Sequence, residues 1–129
     1  MVFSGHRCIK RSMSKNNVRK GRIYEQTAGR YLEQEGLEIL RYNYRCPFGE
    51  IDIIAREKDI LVFCEVKYRF DTRRGNPLEA VDARKQKKVF YTAMHYMTEK
   101  GETEVPCRFD VIGIQGREIC HIRNAFEGK

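Results

Sequence analysis

Two rhythms of apolar residues run through this chain of 129 residues and divide it into helices and strands. Tyr24, Ala28, Tyr31 and Leu32 recur at the three- and four-residue spacing that lines one helix face, so residues 22–35 are expected to form a first helix. Gly36 follows where a helix closes in a left-handed conformation that favours a residue without Cβ. Leu37–Tyr44 then reads as a strand, interrupted by Pro47, Phe48 and Gly49. Glu50–Arg56 is a second strand, and Glu57-Lys58-Asp59 turns the chain. Ile60–Tyr68 is nearly continuously apolar, the pattern of a central strand covered on both faces. After a polar, basic loop at Asp71–Gly75, Asn76 reads as an N-cap, Pro77 as the first helical residue and Glu79 as the partner in a capping-box-like pattern. That helix is expected to run to about Lys100, ahead of Gly101, with Val81, Val89, Ala93, Tyr96 and Met97 as its stripe. Beyond Pro106, Arg108–Ile114 and Glu118–Ile122 form a hairpin around Gln115-Gly116. The order α-β-β-β-α-β-β predicts an α/β domain: one mixed sheet with helices packed on it.

The charged residues inside this pattern carry the chemical signal. In the third strand, Glu65 and Lys67 share a face with Phe63 and Leu61, while Val62, Cys64 and Val66 fill the other. Glu65 is therefore a carboxylate in a run that otherwise reads as core, a costly arrangement without a cation. A two-residue turn at Lys58-Asp59 sets Asp52 opposite Glu65 and Glu50 opposite Lys67; an odd-length turn without a bulge would split them across the sheet. Two neighbouring carboxylates repel and call for a cation between them. Their hard oxygen ligands suit Mg²⁺ or Mn²⁺, and no His and Cys cluster invites zinc. Lys67 would stabilise charge developing on a phosphate. Glu25, beside the stripe of the first helix, faces the sheet edge or stays solvated. A structural alternative is a plain Glu50–Lys67 ion pair with Asp52 in solvent.

Composition sharpens the partner. The chain carries 25 Lys and Arg against 18 Asp and Glu, a formal net charge of +7. Such an excess favours polyanions. Three basic patches flank the acidic pair: Arg41 to Arg45, interleaved with Tyr42 and Tyr44; Arg69, Arg73 and Arg74 in the loop after Lys67; and Arg84, Lys85, Lys87 and Lys88 on the second helix. Of these, Arg45, Arg69, Arg73, Arg74, Arg84 and Lys88 are the candidate phosphate contacts. Residues 1–20 are basic and without periodicity, a flexible arm ahead of a single domain at 21–129, which leaves Met13 open as an alternative start. Five cysteines, an odd number with no CxxC spacing, argue against a disulfide framework and fit a reducing cytoplasm. No run approaches a membrane span, and no apolar segment near the start makes a secretory signal. Asp110 interrupts an apolar strand and is expected to pair with an arginine; His95 and His121 stand isolated and read as packing or surface residues.

The set Asp52, Glu65, Lys67 resembles the D-(x)n-E-x-K signature of the PD-(D/E)XK nuclease superfamily, without that name's upstream proline: Glu50-Ile51 precedes Asp52. Further stretches, among them Asn43-Tyr44-Arg45, Phe48-Gly49-Glu50-Ile51-Asp52, Phe63-Cys64-Glu65-Val66-Lys67, Ala80-Val81-Asp82 and Arg108-Phe109-Asp110-Val111, are similar to the YraN-like family of bacterial proteins. That family is in turn similar to Holliday-junction resolvases. The resemblance implies a restriction-endonuclease-like fold, with Asp52 and Glu65 as Mg²⁺ ligands and Lys67 as the group that steadies the attacking water. It also implies Glu25 as the helix carboxylate and Gln86 as an auxiliary residue. The expected activity is hydrolysis of DNA phosphodiesters, on branched or flapped substrates, by a homodimer in analogy with resolvases. Two other outcomes stay open: a nucleic-acid-binding module that does not cleave, and a protein-interaction adaptor.

Overall fold

The computed structural model describes residues 7–10, 20–68 and 81–126, with side chains from residue 22 onward within those spans. Eight elements follow one another: β1 (Arg7–Lys10), α1 (Lys20–Gln34), β2 (Glu38–Cys46), β3 (Gly49–Glu57), β4 (Ile60–Tyr68), α2 (Ala83–Lys100), β5 (Cys107–Gln115) and β6 (Glu118–Phe126). The strands form one sheet in the order β1-β6-β5-β4-β3-β2. Only β4 and β5 run parallel. The other pairs are antiparallel. A parallel pair needs a crossover, and α2 lies in the connection that supplies it. The order α-β-β-β-α-β-β predicted from the sequence is thus the order of the fold. The stretch read as an arm adds a short edge strand, Arg7–Lys10, whose backbone pairs with β6 from Arg7 opposite His121 to Lys10 opposite Glu118.

The nearly unbroken apolar run of β4 is explained by its position. Val62, Cys64 and Val66 face α1 in a core shared with Ala28, Tyr31 and Leu32. Leu61 and Phe63 face α2 in a second core with Val89, Ala93, Tyr96 and Phe109. Helix α1 ends as its sequence predicts: Gly36 adopts φ +96. Leu37 then donates its N–H back to Leu32 O at 3.0 Å, so Leu37 closes the helix instead of opening the strand. Gly29, inside α1, serves a close approach: the Tyr42 hydroxyl of β2 lies where a Cβ would project. Helix α2 departs from expectation at its start. Asp82 is extended, at φ −77 and ψ 177, and its carboxylate accepts from Lys85 N. An N-cap must be non-helical, so a continuous helix from Asn76 is excluded and α2 begins at Ala83. Asn76, Pro77 and Glu79 lie outside the described residues.

A buried polar network ties the distal half of the sheet together. Asp110 on β5 is fully buried. One oxygen accepts from Arg108 Nε at 3.0 Å and from Asn124 N–H at 2.9 Å; the other accepts from His121 Nε2 at 2.8 Å and Arg108 Nη2 at 3.3 Å. His121 Nδ1 lies 2.9 Å from the Tyr31 hydroxyl of α1. Arg108 also donates to Glu57 at 2.6 Å, and Arg123 to the same carboxylate at 3.2 Å. The arginine partner expected for Asp110 is present, but His121 is neither isolated nor at the surface.

Candidate functional site

Strand β3 turns into β4 through Lys58-Asp59, with Lys58 at φ +55 as tight two-residue hairpins require. The pairs Glu57–Ile60 to Ile53–Cys64 fix the register. The paired segment ends at Ile53–Cys64, and beyond it the alternation breaks beside Asp52: Ile51 packs in the same core as Ile54, and Ile53 in the other. The Asp52 carboxylate accepts the Val66 N–H of β4 at 2.8 Å, so a side chain takes a strand donor just beyond the paired segment. Asp52 is thereby held against β4 next to Glu65, whose charge acts on it.

Glu65 is 4% exposed, yet among the described residues only one of its oxygens is engaged. Its Oε2 lies 3.0 Å from Lys85 Nζ and 3.8 Å from Lys67 Nζ. Its Oε1 is buried with no hydrogen-bond partner among the described residues. Burial pushes the Asp52 carboxyl up to about 7, the charge of Glu65 adds to the shift, and the Val66 N–H opposes it. Burial, with the Glu65 charge adding to it, leaves Asp52 only part-ionised at neutral pH. Burial by itself would lower Lys85, but the charge and hydrogen bond of Glu65 outweigh it and hold the ammonium above its ordinary range.

Glu25 is half-buried on α1, with its carboxyl held by Asn43 Nδ2 at 2.9 Å. Burial raises its pKa, Asn43 counters, and the neighbouring Glu50 raises it again. It contributes to the negative field at Asp52 rather than touching Glu65. The remaining predicted residues fall elsewhere. Gln86 donates its amide to Val81 O at 3.0 Å, closing the entry to α2. Arg45 pairs with Glu50 at 3.1 Å, which leaves Lys67 facing Glu65 rather than Glu50. Arg84 and Lys88 are exposed on α2. Arg69, Arg73 and Arg74 lie outside the described residues.

Lys85 is the site residue that sequence reasoning missed. In the sequence it sits among basic neighbours, yet it stands four residues before Val89, in phase with the apolar stripe of α2. That phase was the available signal: a lysine on the buried side of a helix needs an acid.

Among the described residues no three His, Cys, Asp or Glu side chains gather as a ready metal cage. The donors are instead one carboxylate pair, with one buried oxygen unpartnered. That set fits a small hard cation that takes one or two carboxylates and completes its shell with water and phosphate.

Fold and site together define a mixed α/β domain with a lysine-clamped acidic pair beside its central strand. The sequence profile described as "Uncharacterised protein family UPF0102" matches residues 24–114. The chain belongs to that family. It is 45% identical over 113 residues to a UPF0102 protein of Lachnoclostridium phytofermentans, covering 87% of this chain and 96% of the relative. It is 46% identical over 111 residues to UPF0102 protein NE0719 of Nitrosomonas europaea, covering 84% and 93%. It is 42% identical over 113 residues to UPF0102 protein CD630_12710 of Clostridioides difficile, covering 86% and 99%. No helix among the described residues is long and apolar enough to cross a membrane.

Proposed function

We propose that this protein is a divalent-metal-dependent nuclease of the PD-(D/E)XK type that hydrolyses DNA phosphodiester bonds. The observation that carries this reading is the buried Glu65 Oε1, unpartnered among the described residues, beside an Asp52 whose carboxyl is pushed up to about 7. In a fold that partners Asp110 on both oxygens, the half-partnered Glu65 beside Asp52 is an arrangement that an added cation would complete. Asp52 and Glu65 would hold Mg²⁺ or Mn²⁺, which when bound supplies neutralising charge and polarises a phosphate oxygen. Lys67, half-buried at the end of β4, is free to turn from its 3.8 Å contact toward a phosphate and stabilise the charge that develops there. Lys85 holds the Glu65 carboxyl in place at 3.0 Å. Glu25, reached through Asn43, adds negative potential that draws a cation to the pair. Arg84 and Lys88 position the backbone without reading its sequence.

One observation favours a second reading, a nucleic-acid-binding module without cleavage: Lys85, at 3.0 Å, already neutralises much of Glu65 without a metal. One experiment separates the two. The purified protein is incubated with duplex, single-stranded, flapped and four-way-junction DNA in Mg²⁺ or Mn²⁺, beside Asp52→Asn and Lys67→Ala. Metal-dependent cleavage lost in both variants, with binding retained, is the expected result. Binding without cleavage in every metal would overturn the nuclease reading in favour of the second.

A further inference from the structure

The outer face of α2 carries a feature that the acidic pair does not use. Arg84, Lys87, Lys88, Tyr91 and Met94 are all exposed, and at 3.6 residues per turn they share one face of the helix. Among the described residues no carboxylate forms an ion pair with Arg84, Lys87 or Lys88. Phe48, in the turn between β2 and β3, leans onto the same face. Its ring centroid lies 6.0 Å from that of Tyr91 and 6.1 Å from that of His95. Phe48 is 53% exposed and Tyr91 44%, so two touching aromatic rings are open to solvent beside three cations. The approach is built in. Gly49 adopts φ +155, and a Cβ there would meet Thr92 Oγ1 at 3.2 Å and Lys88 Cβ at 3.7 Å. The acids nearby are engaged elsewhere: Glu50 with Arg45, and Glu99 with the Tyr44 hydroxyl.

Exposed aromatic rings in a cationic setting match the chemistry of an unpaired nucleic-acid strand, whose bases offer flat faces and whose phosphates offer charge. A duplex presents no free base faces to such rings. Lys85 touches Glu65, and Tyr91 stands six residues further along α2 and about 120° around it, so one helix carries the acidic pair's lysine on its inner side and the rings on its outer side. We infer that Phe48 and Tyr91 form a stacking platform for an unpaired strand, with Arg84, Lys87 and Lys88 holding its phosphates. The inference rests on the proposed nuclease reading for its consequence, which is a preference for substrates with a single-stranded arm.

The test uses a short single-stranded DNA carrying 2-aminopurine, whose fluorescence is quenched by stacking, and a blunt duplex of the same sequence. Both are titrated with the full chain in EDTA, so that cleavage does not interfere. Wild type should bind the single strand with quenching. Phe48→Ala and Tyr91→Ala should each weaken that binding about 5- to 100-fold and leave duplex binding unchanged. Phe48→Trp should retain it. Both positions are exposed, and matched melting curves confirm that the variants fold. Equal loss on single strand and duplex, or no loss on either, would overturn the platform. So would a change from dimer to monomer in the alanine variants by sedimentation, which would make the patch a contact with a second copy. The two readings fail separately. Quenching by a wild type that never cleaves supports the platform and overturns the nuclease. Cleavage that ignores Phe48 and Tyr91 overturns the platform alone.

Discussion

Asp110 and Glu65 are both buried carboxylates on neighbouring strands of one sheet, yet their surroundings are opposite. Asp110 receives an arginine, a histidine and a backbone N–H across its two oxygens. Burial pushes its carboxyl up, but the hydrogen bonds from His121 and Arg108 outweigh that and hold it below the ordinary range. Glu65 faces two lysines with one oxygen, nothing among the described residues with the other, and a second acid at its side. A completed set of partners marks a group that holds the fold together. An incomplete set, inside a protein able to complete the first, marks a group kept for something that arrives from outside.

That contrast can be broken at each end. The largest effect is expected at Asp110: Asp110→Ala strands Arg108 and His121 and should cost about 3–5 kcal/mol of folding stability, read by denaturant unfolding. Under the proposed function, Asp52→Asn leaves the fold intact and should lower cleavage about 100- to 1000-fold, the range for removing one group that stabilises developing charge. If that variant cleaved as wild type does, the acidic pair would have no part in catalysis.

The two acids also predict opposite responses to pH. Asp110 is depressed, so its contribution is present above the carboxylate range and is lost as pH falls through its folded pKa. Asp52 is raised to about 7, so without a divalent ion the folded state prefers its protonated form. Its contribution is then complete below about 4 and declines as pH rises toward 7. Melting temperature measured in EDTA should show this decline in wild type and not in Asp52→Asn. Added Mg²⁺ should raise the wild-type melting temperature most at the alkaline end, where the pair is ionised. The smallest effect is expected at Glu65 itself. Glu65→Gln removes an incompletely partnered charge and should change stability by no more than about 1 kcal/mol, in contrast with Asp110→Ala. A loss at Glu65 as large as that at Asp110 would erase the distinction between the two acids.

Much of the arrangement was written in local patterns. The period of Tyr24, Ala28, Tyr31 and Leu32 gave α1, and the apolar run of β4 gave a strand covered on both faces. The two-residue turn at Lys58-Asp59 fixed the register from Glu57–Ile60 to Ile53–Cys64, which carries Asp52 to the Val66 N–H of β4. These features follow from backbone geometry acting over a few residues, so a single sequence contains them. The rest depends on which distant segments meet. Lys85 reaches Glu65 because α2 crosses over the sheet between β4 and β5, and Phe48 reaches Tyr91 because the β2–β3 turn seats on that same helix. His121 bridges Asp110 and Tyr31 because β6 runs beside β5 under α1. Asp82 caps α2 in place of Asn76, although both residue types are suited to the role. Periodicity states which face of an element is buried but not against what. The partners of a buried charge are chosen by the packing of the whole chain, so only the tertiary structure separates the acid that builds the fold from the acid that awaits a ligand.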